Sequence, residues 1–227
     1  MYRIVREKNS AGVVEEKVCG VLTDFDLASW TEDLKNDYSK TSQQRTGTPP
    51  FMAYGLLRGS DALHLYRHDL ESLFYIMLIL ATHYEIRLPT EEEEGGLRTR
   101  RGLKELPYQM WFDQPSYRTL ASSKRDFFSD VDDFNLSPAF KDFDDWLWDL
   151  RLSFGRGTQA KWNHESSIFL WRRQGGGSEN KPVPEFDDET LGGNVNYSAL
   201  IDPVRRLKGE LEGLIIRYDP PPSEFNC

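Results

Sequence analysis

The chain has 227 residues, 37 acidic and 28 basic, for a formal charge of −9, with 38% hydrophobic and 29% charged side chains. That length supports a sizeable core, and the acidic balance argues against the broad basic face that phosphate-driven nucleic-acid binding needs. Cys19 and Cys227 are too few for a disulfide framework, residues 1–20 have no signal-peptide core, and the longest apolar run, residues 73–81, is far short of a membrane span, which needs about 20 residues. The expectation is an intracellular protein, cytoplasmic or nuclear, with no membrane and no nucleic-acid partner.

Residues 1–5 are β-prone, Asn9-Ser10-Ala11-Gly12 is turn chemistry, and residues 13–22 resume with Val13, Val14, Val18, Val21 and Leu22. The chain therefore opens as a β-hairpin. Residues 23–28 continue as a strand end or turn carrying Asp24 and Asp26, and residues 29–42 are polar and aperiodic, a surface loop. Pro49 and Pro50 make residues 45–53 a rigid loop. Asp69, followed by Leu70-Glu71-Ser72 and a long apolar stretch, predicts a helix that Asp69 caps, with Glu71 in its first turn. Leu70, Leu73, Phe74, Ile76, Met77, Leu78, Ile79 and Leu80 cover nearly every face, the pattern of a buried central helix.

The acidic run 91–94, Gly95-Gly96 and the bases Arg98, Arg100, Arg101 and Lys104 read as an exposed loop. Helices are predicted over 117–125, over 138–152 with Phe140, Phe143, Trp146, Leu147 and Leu150 at helical spacing, and over 197–216. Between the last two, residues 175–193 are rich in Gly, Pro and acids and read as a mobile insertion. The fold class that follows is mainly α with a short β hairpin at the N-terminus.

Asp24-Phe25-Asp26 is the first candidate site. On an extended segment residues two apart point to the same side, so both carboxylates could approach one hard cation such as Mg²⁺; the same pair also reads as a solvated acidic turn. Other constellations lack parts. His64 and His68 have helical spacing but no third zinc ligand nearby. In Asp130-Val131-Asp132-Asp133, Asn135 and Lys141 stand where a calcium loop needs Gly and Glu. No Gly-x-Ser-x-Gly elbow supports a serine hydrolase. Trp111, Trp146, Trp148, Trp162 and Trp171 read as core rather than as a ligand platform.

Three segments in order carry a resemblance: Val21-Leu22-Thr23-Asp24-Phe25-Asp26-Leu27-Ala28, Arg45-Thr46-Gly47-Thr48-Pro49-Pro50-Phe51-Met52-Ala53, and Tyr66-Arg67-His68-Asp69-Leu70-Glu71-Ser72. They resemble the magnesium-binding segment, the end of the activation segment and the start of the F helix in the C-terminal lobe of a protein kinase. The particular variants resemble the fungal-type protein kinase family, sharply over residues 18–85. The resemblance implies a kinase-like C-lobe, with residues 1–85 holding the hairpin, Asp-Phe-Asp segment, activation segment and F helix. Residues 86–218 would hold the remaining helices, with insertions near 90–102 and 174–194, and residues 219–227 a flexible tail. It implies Mg²⁺ and ATP as cofactors, a protein Ser or Thr hydroxyl as acceptor, and a protein substrate or partner. Asp24 would coordinate the metal and Phe25 would pack under the nucleotide site. Thr46, Gly47, Thr48 and Pro49 would form the substrate-facing end of the activation segment, and Thr48 would hydrogen-bond near the catalytic base. Asp69 would be a buried acid bonding the catalytic loop, with Ser72 beside it.

The departures matter equally. Asp26 stands where most kinases have Gly, and Tyr54-Gly55 stands where most have Pro-Glu, so the ion pair from that Glu to a later Arg has no counterpart. No Gly-rich phosphate loop, strand lysine or His-Arg-Asp loop with its Asn precedes Asp24. The expectation is a C-lobe fragment that lacks the nucleotide lobe and catalytic loop and is inactive by itself, its exposed lobe-facing surface around Leu22, Phe25 and Leu27 open to association. Two other readings stay open: a non-catalytic, kinase-derived interaction module, and a metal-dependent hydrolase using Asp24 and Asp26.

Overall fold

The computed structural model describes residues 2–8, 14–20, 47–59, 64–87, 96–99, 106–113, 116–174 and 185–207. They fall in two compact units, residues 1–44 and 45–227. In the first, β1 (Tyr2–Lys8) pairs antiparallel with β2 (Val14–Gly20), in a register that sets Tyr2 opposite Gly20 and Lys8 opposite Val14. The hairpin is where the turn chemistry of residues 9–12 puts it. Residues 21–46, including Asp24, Phe25, Asp26 and Thr46, lie outside the described residues.

The second unit is mainly helical. A 3₁₀ turn (Pro49–Phe51) leads into α1 (Tyr54–Arg58) and then α2 (Tyr66–His83). After it come β3 (Tyr84–Arg87), β4 (Gly96–Thr99) and a second 3₁₀ turn (Gln109–Trp111). Next are α3 (Tyr117–Ser129), a third 3₁₀ segment (Pro138–Phe143), α4 (Asp144–Arg173) and α5 (Tyr197–Leu207). Its core joins Phe74, Tyr75, Leu78 and Ile79 of α2 to Leu120, Ala121 and Phe127 of α3 and to Trp146, Leu147, Leu150 and Phe154 of α4. The Phe74 and Phe154 rings stack with centroids 5.6 Å apart. Burying each such side chain contributes about 1.5–3 kcal/mol, so this three-helix contact holds the unit together. Buried Arg151 locks α3 to α4: Nε donates to the Phe127 carbonyl at 2.8 Å and Nη1 to that of Asp132 at 3.0 Å. Its guanidinium also lies over the rings of Phe127 and Trp148.

Several expectations change. Helix α2 starts at Tyr66, three residues before Asp69, and its cap is Leu65. The His68 Nδ1, at the third helical position, accepts the Leu65 N–H at 2.9 Å, the part that a Glu or Gln at this position plays in a capping box. Nor is α2 buried all round, since Leu73 and Ile76 remain 40% and 39% exposed. The stretch read as an exposed loop contains strand β4, which pairs with β3 just before that stretch; each strand is too short to show periodicity. Residues 138–143 are 3₁₀, and α4 then runs 30 residues, far past 152. It is favoured by Asp144 and Asp145 in its first turn and Arg172 and Arg173 in its last. Trp162, expected in the core, is 57% exposed on that extension.

The segment read as a mobile insertion is ordered in its second part. Asp187 Oδ1 accepts the N–H groups of Glu189 and Thr190, and Leu191 and Val195 are buried against the core. A Cβ on Gly157 would come within 2.8 Å of the Leu191 Cβ, so glycine there lets this segment close onto α4. Helix α5 is described to Leu207; the predicted continuation to 216 lies outside the described residues.

Candidate functional site

The part of the motif set that the structure describes is the loop of residues 47–53 and its docking onto α2 and α3. Gly47 has φ +126°, a conformation L side chains rarely adopt, and a Cβ there would approach the Met52 side chain to 3.3 Å. Pro49 then opens the 3₁₀ turn, where a missing N–H costs nothing. Gly47, Thr48 and Pro49 are exposed, while Pro50, Met52 and Ala53 are buried. Thr48 contributes its carbonyl to the Phe51 N–H at 2.9 Å, and its side chain makes no capping bond. The loop thus presents three exposed residues on a buried base.

Two buried charged groups hold that base. Glu71, 3% exposed on α2, accepts the Tyr54 N–H at 2.7 Å and the Tyr75 O–H at 2.6 Å on the same oxygen. Lys124, fully buried on α3, donates from Nζ to the Met52 carbonyl at 2.6 Å and sits 3.6 Å from the centre of the Tyr75 ring. A carboxylate or ammonium buried without partners costs several kcal/mol; here backbone groups of the loop are among those partners, so loop and charges require each other. Burial pulls the Lys124 ammonium down to about 7, against the opposing pull of the Glu71 carboxylate. Burial first, and then the Glu71 charge, pushes the Tyr75 hydroxyl well above its ordinary value. Tyr75 therefore acts as a neutral donor to Glu71.

Sequence reasoning placed Glu71 in a first turn and gave Lys124 no role. A signal for Lys124 existed: Leu120, Ala121 and Phe127 mark the inward face of α3, and position 124 falls on it. These two groups anchor the loop at the place where the expected Glu of Pro-Glu is replaced by buried Gly55. Asp69, expected to be a buried acid, is 73% exposed, and its Oδ1 lies 3.1 Å from His64 Nε2. Positions 69 and 71 lie about 200° apart around α2, so with Asp69 facing out the buried acid of this helix is Glu71. Ser72 is half-buried. Among the described residues no group of three or more His, Cys, Asp or Glu is placed to hold a metal, and the Asp24-Phe25-Asp26 candidate lies outside them.

Residues 4–81 match the sequence profile of a family described as fungal protein kinase. Over these residues the chain is similar to the fungal protein kinase family. The match spans about a third of the chain and contains the hairpin, Asp24-Phe25-Asp26, the Gly47–Thr48–Pro49 loop and nearly all of α2. No curated protein and no solved structure matches the chain. Within the matched residues, the loop and α2 form one packed arrangement through Glu71. Lys124, the other half of the anchor, comes from outside the matched residues. No helix among the described residues is long and apolar enough to cross a membrane.

Proposed function

We propose that this chain contributes the substrate-facing part of a kinase-like C-lobe in phosphoryl transfer from ATP to a protein Ser or Thr hydroxyl. The observation that carries this reading is the family match over residues 4–81, which brings Asp24 and the Gly47–Thr48–Pro49 loop into one motif order. It is supported by the rigid presentation of that loop: exposed at residues 47–49 and pinned from below by Glu71 and Lys124. Asp24 would hold Mg²⁺ through a hard carboxylate oxygen, the donor chemistry that ion prefers, and the cation would supply charge neutralisation at the phosphates. The chain's own loop would receive the residue beside the acceptor hydroxyl.

The test is a thermal melt of the 227-residue chain with and without ATP, in Mg²⁺ and in EDTA. A stabilisation that needs both Mg²⁺ and ATP and disappears in Asp24→Asn is expected; its absence in the parent chain refutes metal–nucleotide binding by these residues.

A non-catalytic interaction module is the second reading. It is favoured by exposed Leu73 and Ile76 on α2 and by the outward Asp69, which leave this face of the helix available to another protein. A melt unaffected by Mg²⁺ and ATP, with phosphotransfer absent, is its expected outcome.

A further inference from the structure

Helices α1 and α3 pack through Leu57 and Ala121, and beside this contact lies a groove of about 540 Å³. Its walls carry three guanidinium groups: Arg58 from α1, and Arg118 and Arg125 from α3. Tyr54, Tyr117 and Ser122 add hydroxyl groups to the lining, and no Asp or Glu lines it. In a chain with a formal charge of −9, three cations with no carboxylate among them make a local field opposite to that of the whole.

Of the carboxylates nearby, Glu165 offsets the Arg58 charge, which leaves Arg118 and Arg125 to set the field of the groove. Glu165 of α4 holds the Arg58 Nη2 at 3.0 Å and so fixes that side chain at the groove wall. Asp126 meets Arg125 at 3.0 Å, but both side chains are well exposed, 59% and 69%, and Asp126 lines a neighbouring cavity instead. Such an exposed pair is readily exchanged for a better partner. Arg118 has no carboxylate partner among the described residues.

The spacing selects the ligand. Arg118 and Arg125 are seven residues apart on one helix, about 10 Å along its axis, and both line the same groove. A single small anion cannot bridge that separation, whereas an extended polypeptide covers it in about three residues. Guanidinium groups grip carboxylates and phosphoesters with two parallel hydrogen bonds each. The buried Leu57 and Ala121 give the groove an apolar floor for the backbone and stems of such a segment.

We propose that the groove between α1 and α3 docks an extended acidic segment of a partner polypeptide, with Arg118 and Arg125 each gripping an acidic side chain and Arg58 closing the third side. This site needs neither Asp24 nor a nucleotide, so it stands or falls independently of phosphoryl transfer.

The experiment uses the full chain and fluorescence anisotropy with two labelled peptides. One carries Glu at every third position, and the other carries phosphoserine at those positions; the tighter of the two identifies the source of the anionic group. Binding that falls at least tenfold in the double variant Arg118→Glu/Arg125→Glu, and stays unchanged in Arg172→Glu at the far end of α4, is expected. Should the double charge reversal prevent folding, Arg118→Gln/Arg125→Gln should also weaken binding, with an unchanged circular dichroism melt. The proposal is overturned if neither peptide binds, or if either folded double variant binds as the parent does. It is also overturned if inorganic phosphate displaces the peptide at equal concentration, or if a single-stranded RNA of equal charge binds as tightly.

Discussion

Lys124 and Arg125 are adjacent basic residues on α3 in opposite surroundings. Lys124 is fully buried, its ammonium spent on a backbone carbonyl and a tyrosine ring, whereas the Arg125 side chain is 59% exposed at the wall of an open groove. A single residue step, about 100° around the helix, separates a charge that organises the fold from a charge available to a ligand. The physical difference is desolvation. A buried cation is stable only while Met52, Tyr75 and Glu71 surround it, but an exposed guanidinium keeps its hydration and can exchange it for a partner.

The largest effect is expected at the inward side. Glu71→Ala strands the Tyr54 N–H and the Tyr75 hydroxyl and leaves Lys124 without its compensating carboxylate, so a loss of about 3–5 kcal/mol is expected in denaturant unfolding. A loss below 1 kcal/mol would show that Glu71 and Lys124 are not coupled to the loop.

The pH profile sharpens the same contrast. With Lys124 lowered to about 7 in the folded chain and near 10.5 when unfolded, the unfolded state binds more protons between those values. Stability should therefore rise from pH 7 towards pH 10, and Lys124 should add no further loss below 7, where both states hold its proton. Above pH 10 the order reverses, because burial raises Tyr75 well above its ordinary value and Tyr108 to about 12, so both keep their protons in the folded state. Lys124→Met should flatten the rise between pH 7 and 10, while Arg125→Met should leave it intact. Equal slopes in both variants would erase the distinction between the two residues.

Gly47→Ala tests the loop rather than its base. At φ +126°, with Met52 in the way, it should cost about 1–3 kcal/mol. The smallest effect belongs to the groove: Arg118→Ala should change stability by no more than about 0.5 kcal/mol, since its side chain is exposed and has no carboxylate partner among the described residues. A larger loss would make Arg118 a structural residue.

How much of this could be read beforehand varies by element. The 47–53 loop was legible because Gly47 and the Pro49-Pro50 pair restrict the backbone whatever surrounds them. The α3 helix was legible from Leu120, Ala121 and Phe127, though it runs four residues past the predicted end. The second half of α4 was not, since Gly155 and Gly157 argue against a helix locally and only the closure of Leu191 onto Gly157 explains one of them. Asp69, which the kinase resemblance made a buried acid bonding the catalytic loop, is exposed in this chain, and the acid buried in α2 is Glu71. The two acids are two residues apart, about 200° around the helix, so they take opposite faces and the packing of α2 decides which is inward.

The sequence by itself determined the likeness of residues 4–81 to fungal protein kinases, the opening hairpin and the mainly helical class, because these rest on local order: motif spacing, turn residues and apolar periodicity. Tertiary structure alone decided which charges are buried. Whether a Glu or a Lys can leave water depends on partners supplied by distant segments, Tyr54 and Tyr75 for Glu71 and Met52 for Lys124, and no local pattern contains them.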